Sequence, residues 1–452
     1  MKRNKIAIII CLVCAGGLAG CSKFLERPPE GQLTKEQAFT NDSSLMAFGN
    51  AMYTYVAAGD FLGGRVQGFS EMLADQLDGS RLTGDFAEIY GRRNSIFGFQ
   101  RNELYLKGYK IVNAANLIFE NIDIANTNRT FLQGQSHFFR GMAHFELVRL
   151  FAQPYGYSPE NSHPGIALRL NTSPSNIPRS TVAEVYRQVI ADLKQADSLL
   201  PADPQDGNKF YTATKLIAEA YLAKVYLQMN DFTNAFYYAD LVIKSNKFSL
   251  DENYTSRFSL GLTKEAILRI ANQTGGFQPG SELNRLWRSD AANIPTLFFS
   301  TTYFNYATSD VADKRRVWYS NTGQSGYNAL TKYNLDFLEV PIVHLTEIKL
   351  IRAEAAAELG GASLAIGISD INDLLTRAYG TTSRNLPAGA TVLGVISTAR
   401  TQRELEMTGE GNRLQEIKRI GVRNGTNIDR RNSPWNCNGL LLQFPKTEQD
   451  AN

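Results

Sequence analysis

Cysteine, histidine and tryptophan are scarce: 4, 4 and 3 of them in 452 residues. Cys11, Cys14 and Cys21 stand near the start, which leaves Cys437 alone in the rest of the chain. One thiol closes no internal disulfide, and no C-x-x-C zinc pattern survives past the first segment; Cys437 is expected to be a small buried residue. Neither sign of charge is in surplus. Setting aside Lys2, Arg3 and Lys5 brings the 47 basic residues level with the 44 acidic ones. Phosphate binding needs a basic excess, so the balance argues against a nucleic-acid partner. Long apolar runs are also missing. The main one, Ile6 to Ala15, falls well short of the roughly 20 residues of a membrane-spanning helix. G-x-S-x-G, H-E-x-x-H and glycine-rich phosphate loops are all absent. No cofactor is implied. A glycosidase needs only two carboxylates about 5–10 Å apart, so a lipid-anchored glycoside hydrolase stays open as an alternative.

What is present begins with three positive charges in Met1–Lys5, the short apolar run, and Leu18-Ala19-Gly20-Cys21. A charged start, a short apolar stretch and small residues before a cut site describe a secretory signal. A cysteine placed right after Leu-Ala-Gly resembles a bacterial lipobox, which implies lipidation at Cys21. Each buried CH₂ of such a chain contributes about 0.8 kcal/mol, and stable anchoring takes more than one acyl chain. The expected organisation is a signal peptide over 1–20 and a tether over 21–40. Thr34 and Gln37 there read as a capping box. A helical region over 41–247 encloses a loop segment at 59–100, an irregular lobe covers 248–342, and a second helical region covers 343–452.

Helices are expected over 101–125 and 130–152, and another begins at Ser180 as N-cap and stops at Pro201. The second carries His137 to Leu150, read as an aromatic-rich amphipathic run. Ala213, Leu216, Ile217, Ala220, Ala223 and Leu227 recur at three and four, and Phe232, Ala235, Phe236, Ala239, Val242 and Ile243 repeat the pattern after Asn230-Asp231. Small residues on both stripes let two helices pack closely, like the 34-residue tetratricopeptide unit. Leu345 to Leu359 and Leu364 to Ala378 form a second such pair across Gly360-Gly361. The fold class is therefore mostly α, a tetratricopeptide-like helical-repeat scaffold. Residues 248–342 and 59–100 lack this periodicity and are rich in aromatics among Gly, Asn, Ser and Thr. A segment of the first one's length is too long for an idle loop, and both are candidate ligand-binding segments.

Four motifs, in order, resemble the SusD/RagB family of Bacteroidetes outer-membrane lipoproteins. They are Cys21-Ser22-Lys23-Phe24-Leu25-Glu26-Arg27-Pro28-Pro29-Glu30-Gly31, the run Phe138 to Phe151, Leu345 to Ala355, and Arg403-Glu404-Leu405 with Gly409-Glu410-Gly411-Asn412-Arg413 and Ile417-Lys418-Arg419. The ending Pro445 to Asn452 is similar too. Gly141 stands where the family shows Ala, and Glu416 where it shows Asp. The resemblance implies a SusD-like α–α superhelix that supports an irregular lobe, lipid-anchored in the outer membrane and facing the cell surface. It implies no catalysis, but capture of an oligosaccharide or peptide and delivery to a SusC-like TonB-dependent transporter. A helical-repeat scaffold for envelope assembly is the other alternative.

Sugar recognition calls for flat aromatic faces and planar polar groups. Asp78, Arg81, Tyr90, Phe97, Trp287, Tyr303, Tyr306 and Trp318 have that chemistry in loop settings and are the candidate ligand-binding residues. Arg403, Glu404, Glu410 and Arg413, read onto one amphipathic helix, are expected to be structural ion pairs, as are Arg352 and Glu354. His137 and His144 share a helix face without a third ligand, so packed histidines are expected rather than a metal site. Asp75, Asp78 and Asp85 lie in one loop but do not match an EF-hand.

Overall fold

The computed structural model describes residues 38–451 except 94, 96–97, 205–206, 208–209, 272–280, 291, 324–325 and 336–337. Cys21, the lipobox, the Thr34–Gln37 box and Phe97 lie outside the described residues.

The chain opens with α1 (Asp42–Ala57), set by a capping box in which Asn41 Oδ1 accepts from Ser44 N at 2.9 Å and Ser44 Oγ accepts from Asn41 N at 3.1 Å. Then come α2 (Arg65–Leu73), the two-residue strand β1 (Leu77–Asp78) and α3 (Gly84–Tyr90). The long pair α4 (Phe99–Glu120) and α5 (Arg129–Phe151) follows. α6 (Val182–Leu199) starts one residue later than expected, because Thr181 rather than Ser180 shares the capping box with Glu184. α5 is not amphipathic: Phe138 to Val148 are all buried. Arg140 is satisfied inside, donating to Asp192 at 3.0 and 2.7 Å and to Asn116 Oδ1 at 2.9 Å. His137 Nδ1 sits 2.8 Å from the same Asp192, whereas His144 is buried and burial lowers its pKa to about 4. The two histidines share the Arg140–Asp192 neighbourhood, His137 through a hydrogen bond and His144 through charge alone.

α7 (Lys215–Gln228) and α8 (Phe232–Lys244) form the first repeat pair. Asp231 caps α8 by accepting from Asn234 N at 3.1 Å, and Ala220, Ala223, Ala235 and Ala239 have no exposed surface. Across the lobe run β2 (Ala266–Ala271), α9 (Ser281–Trp287), β3 (Phe298–Phe299), α10 (Thr301–Thr308), β4 (Tyr319–Ser320), β5 (Ala329–Leu330) and β6 (Glu339–His344). β2 pairs antiparallel with β6 from Ala266↔His344 to Ala271↔Glu339, with irregular register near Leu268. These strands were not expected from the sequence. Pro341 inside β6 hides it, since proline removes a ladder donor and is confined to edges and bulges.

α11 (Leu345–Leu359) and α12 (Leu364–Tyr379) make the second pair, broken at Gly360 and Gly361, both with positive φ. α11 is buried from Leu345 to Ala357 and packs on α7, α8, α12 and α13 (Val392–Glu406). Its charges are neutralised in place: Arg352 on Asp370 and Asp240, Glu354 by Arg419 and Arg400. α14 (Arg413–Asn424) and the short α15 (Lys446–Ala451) end the chain. One hydrophobic core runs from Phe39 to Phe444, and a smaller cluster joins α11, α12 and α13. Cys437 is half-buried rather than buried, at the start of a turn where its sulfur accepts from Gly439 N at 3.4 Å.

Candidate functional site

The β1–β3 ladder joins the two segments that the sequence left irregular. Leu77 pairs with Phe299 and Asp78 with Phe298, so the 59–100 segment is stitched to the lobe through a four-residue contact. Asp78 Oδ1 accepts from Ser80 N at 2.8 Å, an Asx turn that sends the chain back over the ladder. The turn carries Arg81, whose guanidinium lies over the ring of Tyr327 at 4.9 Å. Tyr327 in turn packs on Phe298, with centroids 4.6 Å apart. Arg81 is exposed and Asp78 and Tyr327 are half-buried. Exposed Thr301 and half-buried Asn328, whose amide donates to Phe299 O at 3.4 Å, flank the ladder.

Tyr90 stands behind this turn. Its ring fills the space that a side chain at Gly79 would need, where a Cβ would come within 2.1 Å of Cε1. Arg431 covers the ring at 4.1 Å, and the hydroxyl donates to Leu77 O at 3.4 Å. Tyr90, itself half-buried, thus supports the face from behind the turn. Tyr306, 39% exposed on α10, pairs with Arg430 at 5.5 Å. Burial, then the charge of Glu404, raises its phenol pKa above the usual value.

Three expectations are corrected. Trp287, Tyr303 and Trp318 are core residues with no ring face open to a ligand. Trp287 packs on Phe299, Tyr303 donates to Thr408 Oγ1 at 3.0 Å, and Trp318 donates from Nε1 to Tyr254 O at 3.1 Å under the Lys332 ammonium. A lobe with such short elements buries little through helix or sheet faces, so its largest rings are drawn inward. Sequence reasoning missed Tyr327 as a member of the face and Phe298 as the buried ring behind it. Tyr327 lay in the aromatic-rich stretch, but no local signal says which ring of such a stretch stays outside.

The acid and base cluster is also redistributed. Arg403 and Glu404 are on α13, Glu410 is in the turn after it, and Arg413 opens α14. Arg413 forks onto Asp75 at 2.8 and 2.7 Å, Arg430 holds Glu404 at 2.6 Å, and Glu410 meets Lys332 and His344 at 2.9 Å each. Asp75, Asp78 and Asp85 diverge, since Arg413 takes the first and Arg101 the last, at 2.8 Å. Among the described residues no group of three or more His, Cys, Asp or Glu could hold a metal ion.

Chemically, the Asp78–Arg81–Tyr327 face offers a guanidinium stacked on a phenol ring beside a carboxylate and an amide. Such a surface suits a polyhydroxylated ring, whose C–H face packs on aromatic or guanidinium planes while its hydroxyls meet the flanking polar groups.

Fold and face define a helical-repeat protein with a loop-built aromatic surface. The chain belongs to the SusD family, whose model, described as "SusD family", matches residues 179–434; a second, "Starch-binding associating with outer membrane", matches residues 23–227. It is similar to SusD-like protein P2 of Formosa agariphila, 30% identical over 296 residues, covering 62% of this chain and 52% of that protein. The match thus spans about half of that relative's length. In structure it resembles a SusD superfamily protein from Bacteroides vulgatus, with TM-score 0.79, 22% identity and coverage of 91% and 97% of the two chains. A laminarin-binding SusD-like protein aligns with TM-score 0.69, 17% identity and coverage of 91% and 98%.

Proposed function

We propose that this chain is a lipid-anchored outer-membrane protein that captures a glycan on the Asp78–Arg81–Tyr327 face. It delivers the glycan, without catalysis, to a SusC-like TonB-dependent transporter at the cell surface, held there by the lipid on Cys21. The observation that carries the reading is the β1–β3 ladder, which brings an exposed arginine onto a tyrosine from a distant segment. Membership of a family described as starch-binding and outer-membrane-associated supports it, as does the laminarin-binding relative of the same fold. A non-catalytic role agrees with the pairing of Glu404, Glu410 and Glu416 to Arg or Lys at hydrogen-bond distance. No helix among the described residues is long and apolar enough to cross a membrane, which fits an anchor by lipid.

The test is calorimetric titration of the purified protein with laminarin and starch oligosaccharides. Arg81→Ala and Tyr327→Ala are each expected to weaken binding roughly tenfold, the scale of one lost stacking contact of about 1–2 kcal/mol. Unchanged affinity in both variants would refute the face.

A further inference from the structure

The Arg81–Tyr327 face does not end at its ladder. Asn328, next to Tyr327, donates to Thr301 Oγ1 at 3.4 Å, which joins the face to the first turn of α10. Thr301, Thr302, Asn305 and Tyr306 are exposed along that helix, all polar and uncharged. Tyr306 lies 5.5 Å from the Arg430 guanidinium, and Arg430 stands at the rim of a second hollow. The ladder leads to the same place. Gln76 lines the hollow and precedes Asp78 of the face by two residues, about 7 Å along an extended chain.

This hollow is a groove of about 570 Å³ between α13 and α14, within the roughly 300–1,000 Å³ of small-molecule sites. The two helices run antiparallel, since Glu404 faces Arg413 while Arg400 and Arg419 meet on Glu354 of α11. From Glu404 to Leu393 the α13 wall is about 17 Å long. Its charges are already matched. Arg430 lies on Glu404 at 2.6 Å, Arg413 on Asp75 at 2.7 Å, Arg400 on Glu354 and Glu358, and Arg403 against Glu416 and Glu354. A charged ligand would find no unpaired counter-ion there. The uncommitted groups are neutral. Ser397 and Thr401 on α13, and Asn424 and Thr426 on the other wall, are exposed groove residues whose side chains make no hydrogen bond among the described residues. Ile396, Ile420 and Ile428 add apolar surface. A sugar ring matches both features, because each hydroxyl donates and accepts while the C–H faces pack on the aliphatic side chains.

We propose that the groove binds a further stretch of the glycan chain held at the Arg81–Tyr327 face, the chain crossing along α10 past Tyr306. The inference rests on that reading of the face and adds the class of ligand to it: an uncharged oligosaccharide several units long, rather than a mono- or disaccharide.

Purified protein is titrated calorimetrically with laminaribiose and laminarihexaose, and with maltose and maltohexaose. In the series that binds, the hexaose is expected to bind roughly tenfold or more tightly than the disaccharide, the worth of a few added hydrogen bonds. Ser397→Leu combined with Thr401→Leu removes both hydroxyls and narrows the groove. Both positions are exposed on α13, and leucine is a good helix former there. This variant abolishes the gain with length and leaves disaccharide binding unchanged, whereas Arg81→Ala weakens both lengths. A hexaose no tighter than the disaccharide, or a gain that survives in the double leucine variant, would overturn the groove proposal and leave the face standing. No binding at any length would refute the face, and the groove proposal with it.

Discussion

Gly79 decides more than its size suggests. It sits between Asp78 and the turn that carries Arg81, and the ring of Tyr90 lies where its Cβ would be. Tyr90 cannot retreat, since Arg431 covers it at 4.1 Å and donates to its carbonyl oxygen. Gly79→Ala therefore overpacks a site with no slack, at a cost of about 1–3 kcal/mol. The expected outcome is a lower urea midpoint together with weakened glycan binding, because the turn that aims Arg81 is displaced. Chemical denaturation and the titration with laminarin check both halves. A variant that keeps full affinity would show that Arg81 is not held by this turn. Tyr306→Ala makes the contrast: the side chain is partly exposed on α10, and its removal is expected to move the midpoint by less than Gly79→Ala does.

At the scale of elements, α11 binds the scaffold together, and Glu354 shows how. It has no exposed surface and accepts from Arg419 and Arg400, so three helices meet at one carboxylate. Glu354→Gln keeps the shape and removes the charge, which leaves two guanidiniums competing for what Glu416 can offer. Breaking a buried pair in this way costs about 3–5 kcal/mol, measurable as a fall in the urea midpoint. α11 itself was legible in the sequence. Gly360-Gly361 ends it as residue chemistry requires, whereas its start is set by His344, whose Nδ1 accepts from Glu347 N at 3.4 Å. The α7–α8 pair was legible for the same reason, through alanine spacing and the Asn230-Asp231 break. The enclosure of α5 was not, because the apolar stripe predicted one buried face and the satisfaction of Arg140 by Asp192 needs a partner from α6. β1 and β3 were not legible at all. Two residues carry no period, and their pairing depends on the approach of chain segments far apart in sequence. The candidate face inherits that limit: Asp78 and Arg81 were named from chemistry, while Tyr327 needed the fold. Trp287, Tyr303 and Trp318 were named from the same chemistry and turned out to supply the lobe's interior.

Over the whole molecule, the lobe and the C-terminal helices are locked by buried charge, and the titration of that charge shapes stability. Burial pushes Glu406 up, but Arg377, Arg315 and Arg257 outweigh it and hold the carboxyl at about 2; Glu265, held by Arg257 and Arg377, is likewise at about 2. Their folded values lie below the unfolded one, so the stability they contribute is present above pH about 4.5 and is lost as pH falls toward about 2. Glu71 has the opposite sign. Burial raises it to about 8, while the hydrogen bond from Gly411 N opposes the shift. Its folded form keeps a proton that the unfolded chain gives up near pH 4.5, so its contribution is fully present below that value and declines as pH rises to about 8. Stability should peak on the mildly acid side, with a steep fall below pH about 4.5 and a gentler decline above it. Lys418 adds a counter-slope. Burial and Arg149 lower it to about 7, so rising pH between about 7 and 10.5 restores stability. Glu71→Gln retains an acceptor for Gly411 N and removes the titration. Urea midpoints from pH 5 to 8 should decline in the parent protein and decline less in Glu71→Gln, where Glu219, raised by burial to about 7, still titrates, with the acid limb unchanged in both. An equal decline in the two proteins would mean that Glu71 is ionised in the folded state, and that the junction of α2 with the Gly411 turn is wetter than its burial implies.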